Sequence, residues 1–213
     1  MVTIVENPGG VQLWGNGPYW AKCNVGASRP EEYGYYFWWG DSVGYTNTGS
    51  GWISVTDGTR ISFSSSGTAA STNGKDNWAL LLAGYIDLSG NLVAAHDAAT
   101  AHLGSPWRMP TDTEVSALID NCTATWITTN GVSGGLVTGK GKYANRSIFL
   151  PAAGYVNQTT LTYFDEGGYY WSSTPSSNTM GALDLYISLD GFGQGQYIRY
   201  NGLPVRPVRD TAQ

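Results

Sequence analysis

Glycine interrupts this chain too often for long regular elements to form. With 29 Gly among 213 residues and a charged fraction of only 13%, the composition is far from that of a helical bundle and fits short elements joined by turns and long loops. Val11 to Trp39 carries apolar and aromatic residues in short runs broken by Gly and Pro, the pattern of strands joined by tight turns. Beyond Trp126 the runs ITTNGV, GGLVTGK, SIFLPAAGYV, GGYYWSST, ALDLYISL, QGQYIRYNG and PVRPVRD follow one another with turn residues between them, and they too read as strands.

Two stretches, and only two, read as helices. The first covers about Asn91 to Leu103, where LVAAHDAATAHL is rich in Ala and ends before Gly104 and Pro106. The second lies in MPTDTEVSALIDN. There Thr111 is placed as N-cap, Glu114 as its capping-box partner, and Val115, Leu118, Ile119 and Cys122 form an apolar stripe at helical spacing. From Gly40 to Asn77 the chain is rich in Gly, Ser and Thr, which predicts a long loop-bearing region or insertion with a small hairpin around Trp52 to Phe63. Apolar residues make up 41% of the chain, enough for one large core, so residues 1–213 are expected to form a single α+β domain.

Composition also narrows the partners. The net charge is -5 and the 11 basic residues are scattered, which leaves no Lys/Arg stripe for nucleic acid. No run approaches the roughly 20 apolar residues of a membrane-spanning helix. MVTIVENPGG lacks the basic start and apolar stretch of a signal peptide, so neither membrane insertion nor an export signal or anchor is expected within this sequence. Cys23 and Cys122 show no CxxC spacing for zinc or redox chemistry, and buried free thiols and a single bridge both stay open. His96 and His102, six apart on the first helix, point to different faces and make a poor metal pair. No GxSxG elbow, HExxH helix or EF-hand loop occurs, and the adjacent pairs Glu31–Glu32 and Asp165–Glu166 read as solvated turns. No catalytic residue, metal ligand or cofactor is therefore assigned, and a structural calcium ion finds no supporting motif.

Five phrases, in order along nearly the whole chain, resemble one family. They are WAKCNVGASRPEEYGYYFWWGD at Trp20 to Asp41, DAATAHLGSPWRMPTDTEVSALIDNC at Asp97 to Cys122, SIFLPAAGY at Ser147 to Tyr155, GGYYWSST at Gly167 to Thr174 and PVRPVRD at Pro204 to Asp210. All are similar to the Fibrobacter succinogenes major paralogous domain, of the formylglycine-generating-enzyme (FGE-sulfatase) branch. The resemblance implies a C-type lectin-like fold with two helices, short twisted antiparallel strands and extensive loops. Its hallmark is a helix, a WRMPT turn at Trp107 to Thr111, and a second helix that begins near Glu114. It also implies that Cys23 and Cys122, which fall in matching blocks, come close together. Pro110 then fixes how the chain enters the second helix and Trp107 fills the gap between that helix and the sheet. Arg206 and Arg209 are read as strand residues that reach an ion pair or backbone carbonyls. Enzymes of this branch rely on reactive cysteines or a metal–thiolate site in the C-terminal half. This sequence has no cysteine after Cys122, so the resemblance carries no activity with it and a non-enzymatic domain is expected.

The chain also resembles diversity-generating retroelement variable proteins, whose C-terminal segment carries diversified residues between scaffold strand positions. That implies a ligand-binding, variable segment at about Tyr169 to Arg209, with Trp171, Leu183, Leu185, Ile187, Val205 and Val208 as scaffold. The exposed binding face is then Asn178, Thr179, Met180, Asp184, Tyr186, Ser188, Phe192, Gln194, Gln196, Tyr197, Arg199, Tyr200 and Asn201. Tyr, Arg, Asn, Ser and Gly are also the residues that antibody paratopes favour. The implied function is a ligand- or receptor-binding domain of a gut bacterium or its phage, displayed extracellularly, at the cell surface or on a virion, that recognises a protein or glycan on a cell surface. The alternative is a carbohydrate-binding or structural module of a larger bacterial surface protein.

Overall fold

The computed structural model describes residues 9–64 and 71–210. Its strands form five small sheets, in keeping with the short apolar runs of the sequence. One sheet, in the order β1-β2-β17-β7, joins Gly10–Gln12 (β1), Tyr19–Ala21 (β2), Val208–Arg209 (β17) and Trp107–Arg108 (β7), and so ties both ends of the described chain to its middle. A second, ordered β16-β3-β4-β5-β6, is made of Leu203–Pro204 (β16), Tyr36–Phe37 (β3), Tyr45–Asn47 (β4), Trp52–Ser54 (β5) and Arg60–Ile61 (β6). Cys122–Thr129 (β8), Val132–Gly139 (β9) and Ser147–Pro151 (β10) form an antiparallel meander, and Tyr155–Asn157 (β11) pairs with Thr160–Thr162 (β12). The last sheet is a second meander of Gly167–Pro175 (β13), Gly181–Ser188 (β14) and Phe192–Ile198 (β15).

Strand is the main regular structure, at 40% against 15% for helix, with three α-helices set out in full among the described residues. The protein is thus β-rich with several small sheets, and the expected α+β, C-type lectin-like fold with two helices does not hold. The Ala-rich stretch explains part of the difference. Asp97 stands in its middle and accepts hydrogen bonds from the backbone N–H of Thr100 and of Met109, each at 2.8 Å. A side chain acting as N-cap starts a helix rather than continuing one, so the segment divides into a 3₁₀ turn, Ala94–His96, and a helix of only six residues, Ala98–Leu103 (α2). A helix that the sequence reading missed, Asn77–Leu82 (α1), is capped in the same manner by Asp76. The Gly40 to Asn77 region is likewise not a plain loop: it supplies β4, β5 and β6, and β5 with β6 makes the expected hairpin. Residues 65–70 of that region lie outside the described part.

The helix Asp112–Asn121 (α3) forms where its cap places it. Thr111 Oγ1 accepts from Glu114 N–H, and Glu114 accepts from Thr111 N–H at 2.8 Å. Arg108 adds two hydrogen bonds of 2.7 Å to the same carboxylate and a third to Asp210. The WRMPT turn is therefore a clamp that holds β7, α3 and the chain's end together.

Three apolar clusters fill the interior. Trp39, Leu80, Met109, Trp171, Ala182 and Leu203 belong to the first, Trp20, Leu118, Leu150, Tyr170, Leu185 and Ile187 to the second, and Trp38, Tyr45, Trp52 and Phe63 to the third. The β13–β15 sheet feeds the first cluster with Trp171 and Ala182 and the second with Tyr170, Leu185 and Ile187. Residues directly opposite in a ladder share a face, and the pairs Trp171–Asp184 and Tyr170–Leu185 assign these two sets to opposite faces. The C-terminal sheet is thus covered on both sides, and this decides which of its residues reach solvent.

Candidate ligand-binding site

The thirteen residues expected on one exposed face are split by that double coverage. Asp184, Arg199 and Asn201 are buried, which corrects their placement on a binding surface. Arg199 is fully buried. Its Nε donates to Gly181 O, one terminal nitrogen donates to Thr72 O and Lys75 O, and its guanidinium lies 5.0 Å from the Trp39 ring. Three carbonyls take up Nε and that one terminal nitrogen, while the other terminal nitrogen is buried without a partner, so the side chain is a strut between the β13–β14 turn and the segment before α1. Asn178, Thr179 and Met180 form that turn, where the Asn178 side chain accepts from Met180 N–H. Tyr186, Ser188 and Tyr197 lie half-buried on the same face as Asp184. Gln194 and Gln196 are exposed on the other face with the half-buried Phe192, and Gln194 Nε2 donates to Asp112 at the start of α3. Tyr200 packs against the third cluster.

Asp184 has an unusual setting. Tyr169 and Tyr197 close over it with ring centroids 5.1 Å apart, and Tyr155 completes the group at 4.5 Å from Tyr197. Both carboxylate oxygens are buried without a hydrogen-bond partner. Burial, with the nearby Asp112 charge adding to it, pushes this carboxyl up to about 8. Desolvation likewise raises Tyr155, Tyr169 and Tyr197 above the usual phenol value.

An open concavity lies at the end of this sheet, not on its face; a second of about 550 Å³, between Trp14 to Pro18 and α3, lies away from the C-terminal segment. The first, a trough of about 500 Å³, is lined by Trp126 of β8, Tyr163 and Tyr169, by Ser188 and Leu189 at the β14–β15 turn, and by Asp165, Glu166 and Asp190. A smaller hollow of about 190 Å³ continues it past Trp126 and Asp190 to Phe192. Leu189 is 73% exposed and Tyr163 50%, so both offer apolar surface to a ligand in the trough. Loop 163–166 is held in an unfavourable backbone shape, with Tyr163 at φ 53° and Asp165 at φ 63°. The left-handed region costs a bulky residue about 1–2 kcal/mol. Four hydrogen bonds hold the loop there: Asp165 N–H donates to Ala152 O at 2.9 Å, Glu166 N–H and Gly167 N–H to Tyr163 O at 3.1 and 3.0 Å, and Asp165 Oδ1 accepts from Ser133 N–H at 3.2 Å. Gly154 lets the loop pass, because a Cβ there would stand 2.3 Å from Thr162 O. Phe164, against Tyr33 at 4.8 Å, anchors its far side.

Of the thirteen expected residues, Ser188 lines the trough and Phe192 its extension. Trp126, Tyr163, Leu189 and Asp190 were missed, and Asp165–Glu166 was read only as a solvated turn. The available signal was the cluster TYFDEGG, two aromatics and two acids against a pair of glycines. No His, Cys, Lys or Arg lines the trough, which presents aromatic rings, hydroxyls and the carboxylates of Asp165, Glu166 and Asp190. Both cysteines are free and buried elsewhere; burial raises them, Cys122 to about 11, so they stand as thiols rather than thiolates. His96 stacks on Tyr85 at 4.0 Å and His102 reaches Ser42 O, each engaged separately. Among the described residues no three His, Cys, Asp or Glu side chains are grouped to hold a metal, and no helix is long and apolar enough to cross a membrane. No family model, no curated protein and no solved structure matches the chain.

Proposed function

We propose that the protein is a ligand- or receptor-binding domain that engages its target through the trough at the end of the β13–β15 sheet. On this reading it is a retroelement-diversified variable protein of a gut bacterium or its phage, displayed at the cell surface or on a virion, and it is not an enzyme. The observation that carries the binding role is the trough itself: exposed Tyr163 and Leu189 beside Trp126, on a loop whose strained backbone is held by hydrogen bonds from β9 and from the segment after β10. Strain that the surroundings hold in place marks surfaces kept for contact, and concave aromatic sites with a few polar groups are the usual form of binding sites. The buried thiols support a role without cysteine chemistry, since the thiolate is the reactive form.

The test is binding to whole gut-bacterial cells and to a broad glycan array, with a variant carrying Tyr163→Asn and Leu189→Ser beside the parent. Both substitutions are at exposed positions, and Asn accepts the left-handed backbone of Tyr163. A target bound by the parent and lost by a folded variant supports the reading; equal binding, or none by either, sinks it. The diversification claim is tested separately by sequencing the gene's surroundings for a reverse transcriptase and an adenine-biased template copy, and it fails if neither is there.

A further inference from the structure

We infer that the trough takes an arginine or lysine side chain presented by an extended polypeptide segment. This rests on the trough being the binding site, and adds the chemistry of what fills it. The reason lies in charge. Asp165, Glu166 and Asp190 surround the trough, no basic side chain lines it, and the carboxylates of Glu166 and Asp190 have no partner among the described residues. A neutral ligand that covers these groups strips their water and leaves the charge uncompensated, whereas a cation returns that loss. The walls suit the same occupant. A guanidinium or ammonium sits well over Trp and Tyr ring faces, and the chain already uses that contact where Arg209 lies 4.6 Å from Tyr19 and 5.6 Å from Trp107.

The argument for a polypeptide is the sheet edge. In the order β13-β14-β15 the outer side of β15 has no partner strand among the described residues. Its first residue, Phe192, is also in the wall of the trough's extension. An open edge offers backbone N–H and C=O groups to an added strand, so one extended segment can pair along β15 while a side chain near its end enters the trough. An amino sugar carries the charge but cannot use the edge.

The experiment is an NMR titration of the ¹⁵N-labelled protein with three probes: the capped peptide Thr-Arg-Thr-Arg-Thr, the same peptide with citrulline for arginine, and glucosamine. Citrulline keeps the shape of arginine and removes the charge. The arginine peptide is expected to move amides of loop 163–166, the Ser188 to Phe192 turn and β15 saturably in the low-millimolar range. Citrulline should bind at least about tenfold more weakly, as a loss of one charge-assisted contact implies. The variant Glu166→Gln with Asp190→Asn, both surface positions, should lose a similar factor while its own spectrum stays dispersed. Citrulline binding equal to arginine, glucosamine matching the peptide, or shifts confined to other parts of the molecule each overturn the inference, as does the absence of any shift. If the arginine peptide fails while Tyr163→Asn/Leu189→Ser still abolishes cell or array binding, the cation assignment falls and the binding role stands. If both fail, the trough is not a binding site.

Discussion

Asp184→Asn should remove most of one strong pH dependence of folding. In the native state the carboxyl stays protonated to about 8, against an ordinary value of 3.8. Between those values the folded chain holds a proton that the unfolded chain has released, so stability declines as pH rises through the window, by about 1.4 kcal/mol per unit. Full integration over some four units gives roughly 5 kcal/mol, an upper bound because a buried site relaxes around a new charge. The titratable groups that face Asp184 come from three elements, the Asp112 carboxyl at the start of α3 and the neutral phenols of Tyr169 in β13 and Tyr197 in β15, and none is basic. Nothing nearby can offset the ionised form. Asparagine has the same shape and no charge, although its amide is also left without partners, which costs about 1–3 kcal/mol at every pH. The readout is therefore the slope, not the offset. Urea unfolding followed by tryptophan fluorescence at a series of pH values from 5 to 9 should give a difference between variant and parent that grows in the variant's favour by several kcal/mol with rising pH. Parallel curves for the two proteins would mean that Asp184 ionises freely when folded, and the burial argument would be wrong.

Three further substitutions test the framework. Glu114→Ala breaks both the capping box and the paired bonds from Arg108, and should lower the free energy of urea unfolding by about 2–3 kcal/mol. Arg199→Met removes the donor shared by Gly181 O, Thr72 O and Lys75 O. It should cost about 3 kcal/mol and raise hydrogen exchange at both the β13–β14 turn and residues 72–75 without weakening trough contacts. Gly134→Ala places a Cβ 2.3 Å from the backbone oxygen of Leu150, which cannot swing aside, so a loss of about 3 kcal/mol is expected in the same denaturation assay.

The elements that local pattern specifies were legible in the sequence. The capping box of Thr111 and Glu114 lies within a few residues, and it forms as read. GGYYWSST and ALDLYISL become β13 and β14; in the second, apolar residues recur at every second position, and Leu185 and Ile187 go into the core as that spacing requires. The same spacing misled where it was taken to imply one solvated face. Asp184, Tyr186 and Ser188 alternate with Leu183, Leu185 and Ile187, so polarity alone points them outward. Their face instead meets Trp39 and Leu203 of the first cluster through Trp171 and Ala182, and is roofed by Tyr155, Tyr169 and Tyr197. Arg199 shows the same limit: its acceptors Thr72 and Lys75 are more than a hundred residues away in the chain, and no local pattern records such a contact. The trough is equally non-local, since Trp126, Tyr163 and Leu189 come from three separate segments.

Double coverage of the C-terminal sheet also limits which of its residues can be replaced. A substitution at Asp184, Arg199 or Asn201 acts on the packed interior, where a change of volume or polarity commonly costs more than a kcal/mol. Asn178, Leu189, Asp190, Gln194 and Gln196 are exposed, and most replacements there should fall within about ±0.5 kcal/mol. A scan of all single substitutions across residues 169–209, sorted for folded protein with a protease, should therefore tolerate the second set and reject the first, with Asp184→Asn as the exception. If Arg199 and Asp184 accept change as freely as Gln194 and Gln196, the sheet is solvated on that face after all and the trough loses its claim over the face. If tolerance instead gathers at the turns and along β15, the replaceable positions of this segment lie around the end of the sheet, and that is where the trough opens.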